Sequence, residues 1–160
     1  VIQDHHGSPG FEVASERQGG SPMQKISPLL WFDGNAEEAV NFYASVFPYA
    51  TISKILRSSK AGPGPEGHVL TVSFELEGQQ FTALNGGPQF KFTEAVSFTV
   101  SCNDQAEVDY YWDCLSEGGE PRQCGWVKDR FGLFWQITPV RLIELMNDPD
   151  PDVAARVATT

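Results

Sequence analysis

Asn35-Ala36-Glu37-Glu38-Ala39-Val40-Asn41-Phe42-Tyr43 returns 69 positions later as Asp104-Gln105-Ala106-Glu107-Val108-Asp109-Tyr110-Tyr111-Trp112. Each copy opens on a residue suited to cap a helix and carries a Glu three positions on. Each therefore reads as a capping box, with Glu38 reaching back to the Asn35 backbone and Glu107 to that of Asp104. Each sets an aromatic pair in its third turn, Phe42-Tyr43 or Tyr111-Trp112. Each follows a short apolar run, at residues 26–32 and 96–102. A strand–helix unit used twice predicts two fused modules with a site where they meet.

Outward from these helices, expected over residues 36–47 and 105–117, strands are predicted at 26–32, 51–57, 68–77 and 80–85. The second set is predicted at 96–102, 123–128 and 133–138. Pro48 closes the first helix and Gly118-Gly119 the second. Glu77-Gly78 is a tight hairpin signal. Residues 139–147 are expected to be helical, and Asp150-Pro151 to start a last helix. The order βαβββ then βαβββ, with a helical C-terminal tail, gives an α+β fold. Residues 23–92 form the first module, 93–138 the second and 139–160 the tail, in one fused domain over 23–160. Residues 1–22 carry His5-His6-Gly7-Ser8-Pro9-Gly10 and Gly19-Gly20-Ser21-Pro22 ahead of Met23. They read as a vector-derived or disordered segment, so His5 and His6 are set aside as ligands.

Hydrophobic residues are 41% of the 160 and aromatics 12%, enough for a packed core. A net charge of −10 with no Lys/Arg stripe argues against nucleic acid and anionic membranes as partners. No apolar run nears the roughly 20 residues of a membrane helix, and no secretory leader is visible. Cys102, Cys114 and Cys124 are odd in number and match no zinc spacing. Reduced thiols in a cytoplasmic protein are the expectation.

The chain resembles the PhnB-like (demethylubiquinone methyltransferase-like) branch of the glyoxalase, bleomycin-resistance and extradiol-dioxygenase superfamily, the vicinal oxygen chelate fold. The resemblance is carried by Trp31-Phe32-Asp33-Gly34-Asn35-Ala36-Glu37-Glu38-Ala39 with Phe42-Tyr43, and by Phe81-Thr82-Ala83-Leu84-Asn85-Gly86-Gly87-Pro88. Tyr111-Trp112, Cys124-Gly125-Trp126 and Gly132-Leu133-Phe134-Trp135-Gln136-Ile137 complete it. It implies two βαβββ modules forming a cup-shaped mixed sheet around a cavity, usually in a homodimer. In the superfamily's metalloenzymes it implies a divalent metal held by His, Gln or Glu from the first and last strands. Aligning the two copies puts those positions at Pro28, Ser97, Ala83 and Gln136, within one or two residues. Only Gln136 is a ligand type, and one neutral amide does not hold Zn²⁺, Ni²⁺ or Fe²⁺. Sliding the register brings in Ser27, Asn85 or Thr99, which complete no site. No metal and no cofactor are expected. His68 reads as a surface or hinge residue.

Gly62-Pro63-Gly64-Pro65-Glu66-Gly67 fits the letters GxGxxG, but a strand pattern follows it and two prolines remove amide donors. It is expected to be a loop. Cys124-Gly125-Trp126 reads as a small buried thiol beside a Gly that lets Trp126 pack, rather than as a nucleophile. Strand alternation puts Phe134, Gln136 and Thr138 on one face, and Phe81, Ala83 and Asn85 on another. Pro28, Leu30 and Phe32 are expected to join them in the cup, with Phe90 and Trp126 at its rim. Trp31 and Trp135 are expected under the helices. The residues point to a metal-free small-molecule binding protein whose apolar cup holds an aromatic or amphipathic ligand, oriented by Asn85 and Gln136. The alternatives are a metal-dependent lyase, isomerase or dioxygenase, and a methyltransferase-like enzyme. No catalytic residue is assigned.

Overall fold

Strand, helix and three strands follow one another twice in the computed structural model, which describes residues 22–158. The segment read as vector-derived lies, Pro22 apart, outside these residues. The first module is β1 (Leu29–Phe32), α1 (Ala36–Val46), β2 (Ala50–Arg57), β3 (Val69–Leu76) and β4 (Gln79–Asn85). The second is β5 (Phe98–Cys102), α2 (Gln105–Ser116), β6 (Glu120–Pro121), β7 (Trp126–Lys128) and β8 (Phe134–Pro139). Helices α3 (Val140–Met146) and α4 (Pro151–Ala158) form the tail. The two-residue β6 has too few positions to show an alternating pattern, and the sequence did not betray it.

The sheets run β1-β4-β3-β2 and β5-β8-β7-β6. In each, the first strand lies parallel to the last and the remaining pairs are antiparallel. The hairpin between β3 and β4 turns on Glu77 and Gly78, whose φ values of 48° and 83° both fall in the left-handed region. That is the geometry of a two-residue turn matched to strand twist. The Gly62–Gly67 stretch joins antiparallel β2 and β3, closed by Gly67 N–H donating to Ser58 O and Ser58 Oγ donating to Pro63 O.

Helix α1 buries Ala36, Ala39, Val40, Tyr43 and Val46, a stripe at three- and four-residue spacing. It covers one face of the first sheet, where Leu30, Phe32, Val72, Phe74, Phe81 and Ala83 are buried. Helix α2 buries Tyr111 and Leu115 over the second sheet, whose covered face carries Val127, Trp135 and Ile137. These faces share one hydrophobic cluster. The opposite face of each sheet, turned away from α1 or α2, is its open face.

The repeated aromatic pairs join the modules. Phe42 packs on Phe131 of the second module (5.7 Å between centroids), and Tyr43 on Trp135 (5.5 Å). From the other side, Tyr111 packs on Phe47 (5.2 Å) and Tyr110 Oη donates to Val46 O (2.6 Å). At the centre lies Asp129, 2% exposed. Its Oδ2 accepts from Tyr43 Oη (2.7 Å) and Trp135 Nε1 (2.9 Å), its Oδ1 from the amides of Phe131 (2.8 Å) and Leu133 (3.0 Å). Burial pushes this carboxyl up from its ordinary range, and the donors of Trp135, Tyr43, Leu133 and Phe131 hold it back.

Candidate functional site

Register decides which side chains reach the open faces. Leu30 pairs with Ala83 and Phe32 with Asn85 across β1 and β4, and Val72 and Phe74 oppose Ala83 and Phe81 across β3. All of these lie on the helix-covered face. The alternate residues form three rows across the open face. Trp31, Leu84, Thr71 and Leu56 make the first row; Leu29, Thr82, Ser73 and Lys54 the second; Gln80, Glu75 and Thr51 the third. The face therefore grades from apolar to polar along the strands.

A cavity of about 680 Å³ opens on the polar end, lined by Ser27, Thr51, Ser53, Ser73, Glu75 and Thr82 among others. Gln24 holds its wall in place: its Oε1 accepts from Gln80 N (3.0 Å), and its backbone N–H donates to Gln80 Oε1 (2.7 Å). At the apolar end the Trp31 indole donates to Gly87 O (2.9 Å) and meets Phe90 edge-on (4.9 Å). A Cβ on Gly86 would stand 2.3 Å from the Trp31 ring, so only glycine lets the indole lie there. In the second sheet the open face carries Phe134, Gln136 and Trp126, the last paired in register with Gln136. Gln136 Nε2 donates to Ser97 Oγ (2.8 Å). Phe134 is 2% exposed, with the Arg122 guanidinium 5.2 Å over its ring and Arg122 held by Glu94 at 2.7 Å.

The family profile described as 3-demethylubiquinone-9 3-methyltransferase matches residues 24–138. The chain belongs to this family. The PhnB protein of Bacillus cereus is 37% identical, with 72% of this chain covering 99% of that one at a TM-score of 0.64. Protein PA1353 of Pseudomonas aeruginosa shares the fold at 21% identity, over 73% of this chain and 98% of that one, with a TM-score of 0.58. The fosfomycin resistance protein FosX of Listeria monocytogenes, solved with Mn(II) and sulfate, aligns over 74% of this chain and 90% of its own at 17% identity and a TM-score of 0.49. No curated protein matches. The chain is thus a PhnB-like member of that family. Helices α3 and α4 lie beyond the matched span.

The resemblance implies four donor positions, and the strand register moves two of them by one residue. The helices repeat at 69 positions, but the strands repeat at 70: Leu30 matches Val100 and Phe32 matches Cys102. The extra residue lies in the turn at Asp33-Gly34. Ser27, rather than Pro28, is the counterpart of Ser97, and Thr82, rather than Ala83, that of Gln136. Two serines, a threonine and a glutamine are neutral oxygen and amide donors. They do not fit a divalent transition metal, which asks for imidazole, thiolate or carboxylate. Among the described residues no three His, Cys, Asp or Glu side chains converge.

The same slip of one residue corrects the expected cup. Leu30 (5% exposed) and Phe32 are buried with the covered-face core instead of facing the open side, and Phe81, buried in the same core, also lines the 680 Å³ cavity. Asn85 is occupied elsewhere: its Oδ1 accepts from Ala36 N (2.9 Å) and its Nδ2 donates to Val69 O (3.0 Å). Pro28 offers its carbonyl to Thr82 N (3.0 Å). Trp31 faces the open side instead of lying under α1, whereas Trp135 is buried with the core, 5.5 Å from Tyr43. Phe134, Gln136, Thr138 and Trp126 share the open side of the second sheet, and Phe90 joins Trp31 on the first. Cys124 is exposed, with φ of 57°, and not the buried thiol expected. Thr82, Ser73, Glu75 and Thr51 line the cavity outside the set the sequence suggested. The extra residue at Gly34 is the signal that points to Thr82.

Proposed function

We propose that the protein binds an amphipathic small molecule on its open sheet faces without a metal. The graded face of the first sheet carries this reading, with Trp31, Leu84 and Phe90 at one end and a cavity ringed by Thr51, Ser73, Glu75 and Thr82 at the other. A flat apolar body fits against Trp31 and Leu84, while its polar head meets hydroxyls that have room for hydrogen bonds. The site is more polar than the apolar cup expected from sequence, because the slip in register brings Thr82, Ser73 and Glu75 to it beside Phe81. Phe90, Trp126, Gln136 and Thr138 remain part of the proposed surface. Phe134 does so only if Arg122 swings off its ring.

A homodimer fits the same picture. Strand β1 pairs on one edge only, and Ile26, Leu29 and Phe90 are exposed. A second copy would cover such an edge and enclose the open faces. Light scattering at micromolar concentration tests it. No helix among the described residues is long and apolar enough to cross a membrane, and all three cysteines are unpaired. The unpaired thiols support a reducing compartment, the cytoplasm, for this proposal.

Saturable binding of 8-anilinonaphthalene-1-sulfonate is expected, weakened about tenfold, or ~1.4 kcal/mol, by Trp31→Ala. Unchanged affinity in that variant would reject the site. The family's description favours a second reading, methyl transfer. The Gly62–Gly67 loop leads into strand β3 and offers no helix N-terminus to a cofactor. Titration calorimetry with S-adenosylmethionine decides the matter, and no heat of binding is expected.

A further inference from the structure

A second cavity, of about 500 Å³, lies between the modules, away from the open face of the first sheet. Its walls are the β3–β4 hairpin at Leu76–Gln79, the free edge of β5 and the start of α2. Aromatic rings line it: Phe47, Phe81, Phe98, Tyr111 and Trp135. Phe81 and Phe98 meet edge-on at 5.3 Å, one from each module. Two carboxylates, those of Glu77 and Glu107, also line the cavity.

Each carboxylate is held by a backbone amide and leaves one oxygen free of any partner given by the structure. Glu77 Oε1 accepts from Tyr49 N (3.3 Å), and Glu107 Oε2 from Asn103 N (2.7 Å). Among the described residues neither forms an ion pair with Lys, Arg or His. Both act on the same spot. The Tyr111 hydroxyl is pushed up to about 12, first by burial and then by the charges of Glu77 and Glu107. The cavity therefore combines ring faces, negative at their centres, with two carboxylates that no protein cation neutralises.

We propose that this inter-module cleft binds an organic ammonium ion carrying an aromatic or short alkyl body, its charge between Glu77 and Glu107 and its body on the rings. The charge and the lining make the choice of ligand. An anion would meet two like charges, and a neutral hydrocarbon would leave both carboxylates without a counter-ion. The net charge of −10 steers cations toward the protein as a whole. This site is independent of the open-face proposal: either can fail alone.

Phenethylammonium and its anionic counterpart 3-phenylpropionate test it on the full chain by amide chemical shifts. The ammonium is expected to bind at millimolar concentration or below and to shift the amides of residues 76–79 and 98–103. The phenylpropionate is expected to leave them unmoved. Glu77→Gln with Glu107→Gln keeps a side-chain oxygen to accept from each backbone N–H, so the hairpin and the α2 cap survive, as an unchanged melting temperature would confirm. Ammonium affinity is expected to fall about tenfold in that variant, and in the wild type to fall with added salt. Equal binding of the two probes would overturn the proposal, as would unchanged affinity in the double variant. So would shifts confined to residues 51–54, 73–75 and 80–82 on the open face, or no shift at all with the ammonium at 10 mM (a concentration of roughly 3 kcal/mol affinity).

Discussion

Asp129 shows how a single side chain can hold two modules in one register. Its four acceptor sites meet four donors, two of them from side chains (Tyr43 and Trp135) and one of those from the opposite module. Removing the Tyr43 hydroxyl leaves a buried carboxylate short of one partner. Tyr43→Phe is expected to lose about 1–3 kcal/mol in urea unfolding. Asp129→Asn puts an NH₂ where two donors converge and is expected to lose about 2–4 kcal/mol. The pH dependence follows from the raised carboxyl. Because its folded value lies above the ordinary 3.8, its contribution to stability is fully present below that value and is lost as pH rises through the folded one. The stability advantage of the wild type over Asp129→Asn should therefore shrink as pH rises from about 4, and unfolding midpoints measured across that range check it. Gly86 is the counterpart at the open face. Gly86→Ala forces the Trp31 ring to move, and a shifted Trp emission with weaker probe binding is the expected result.

The two helices, alike in sequence, are capped by different means. Asp104 Oδ1 accepts from Glu107 N (2.9 Å), as its motif predicts, but Glu107 returns to Asn103 N and not to Asp104 N. Asn35 makes no side-chain cap bond, and Asn85, from the end of β4, takes its place at Ala36 N. A cap borrowed from a strand is invisible to local pattern. It fastens α1 to its sheet as well as ending the helix. Asn85→Ala is expected to cost about 1–2 kcal/mol and Asn35→Ala under about 0.5, a ranking that thermal melts of the two variants would establish. The same turn explains what was legible in the sequence and what was not. The order of elements was legible, because the repeat at Asn35 and Asp104 carries its own start signals. The sheet faces were not legible in the first module, because one residue at Asp33-Gly34 offsets strand from helix, and a slip of one reverses every side chain. In the second module the pairing of β8 sets Phe134 and Gln136 on the face opposite Trp135, as strand alternation requires.

At the scale of the molecule, the fold packs its covered faces into one core and leaves two cavities, the places of the two proposals. The aromatic pairs of the repeat close the joint between modules, with Asp129 at its centre. The open face of the first sheet presents graded chemistry around a cavity of about 680 Å³, and the positions where the resemblance implies metal donors carry Ser27, Thr82, Ser97 and Gln136. The proposal of binding without a metal rests on these residues. The most direct measurement is amide chemical-shift mapping of the chelator-treated protein during titration with 8-anilinonaphthalene-1-sulfonate, before and after one equivalent of Zn²⁺ or Mn²⁺. Shifts at Ser73, Thr82 and the Trp31 indole that saturate identically with and without metal are the expected result. A protein that is silent after chelation and regains those shifts only when the metal is returned would contradict the account.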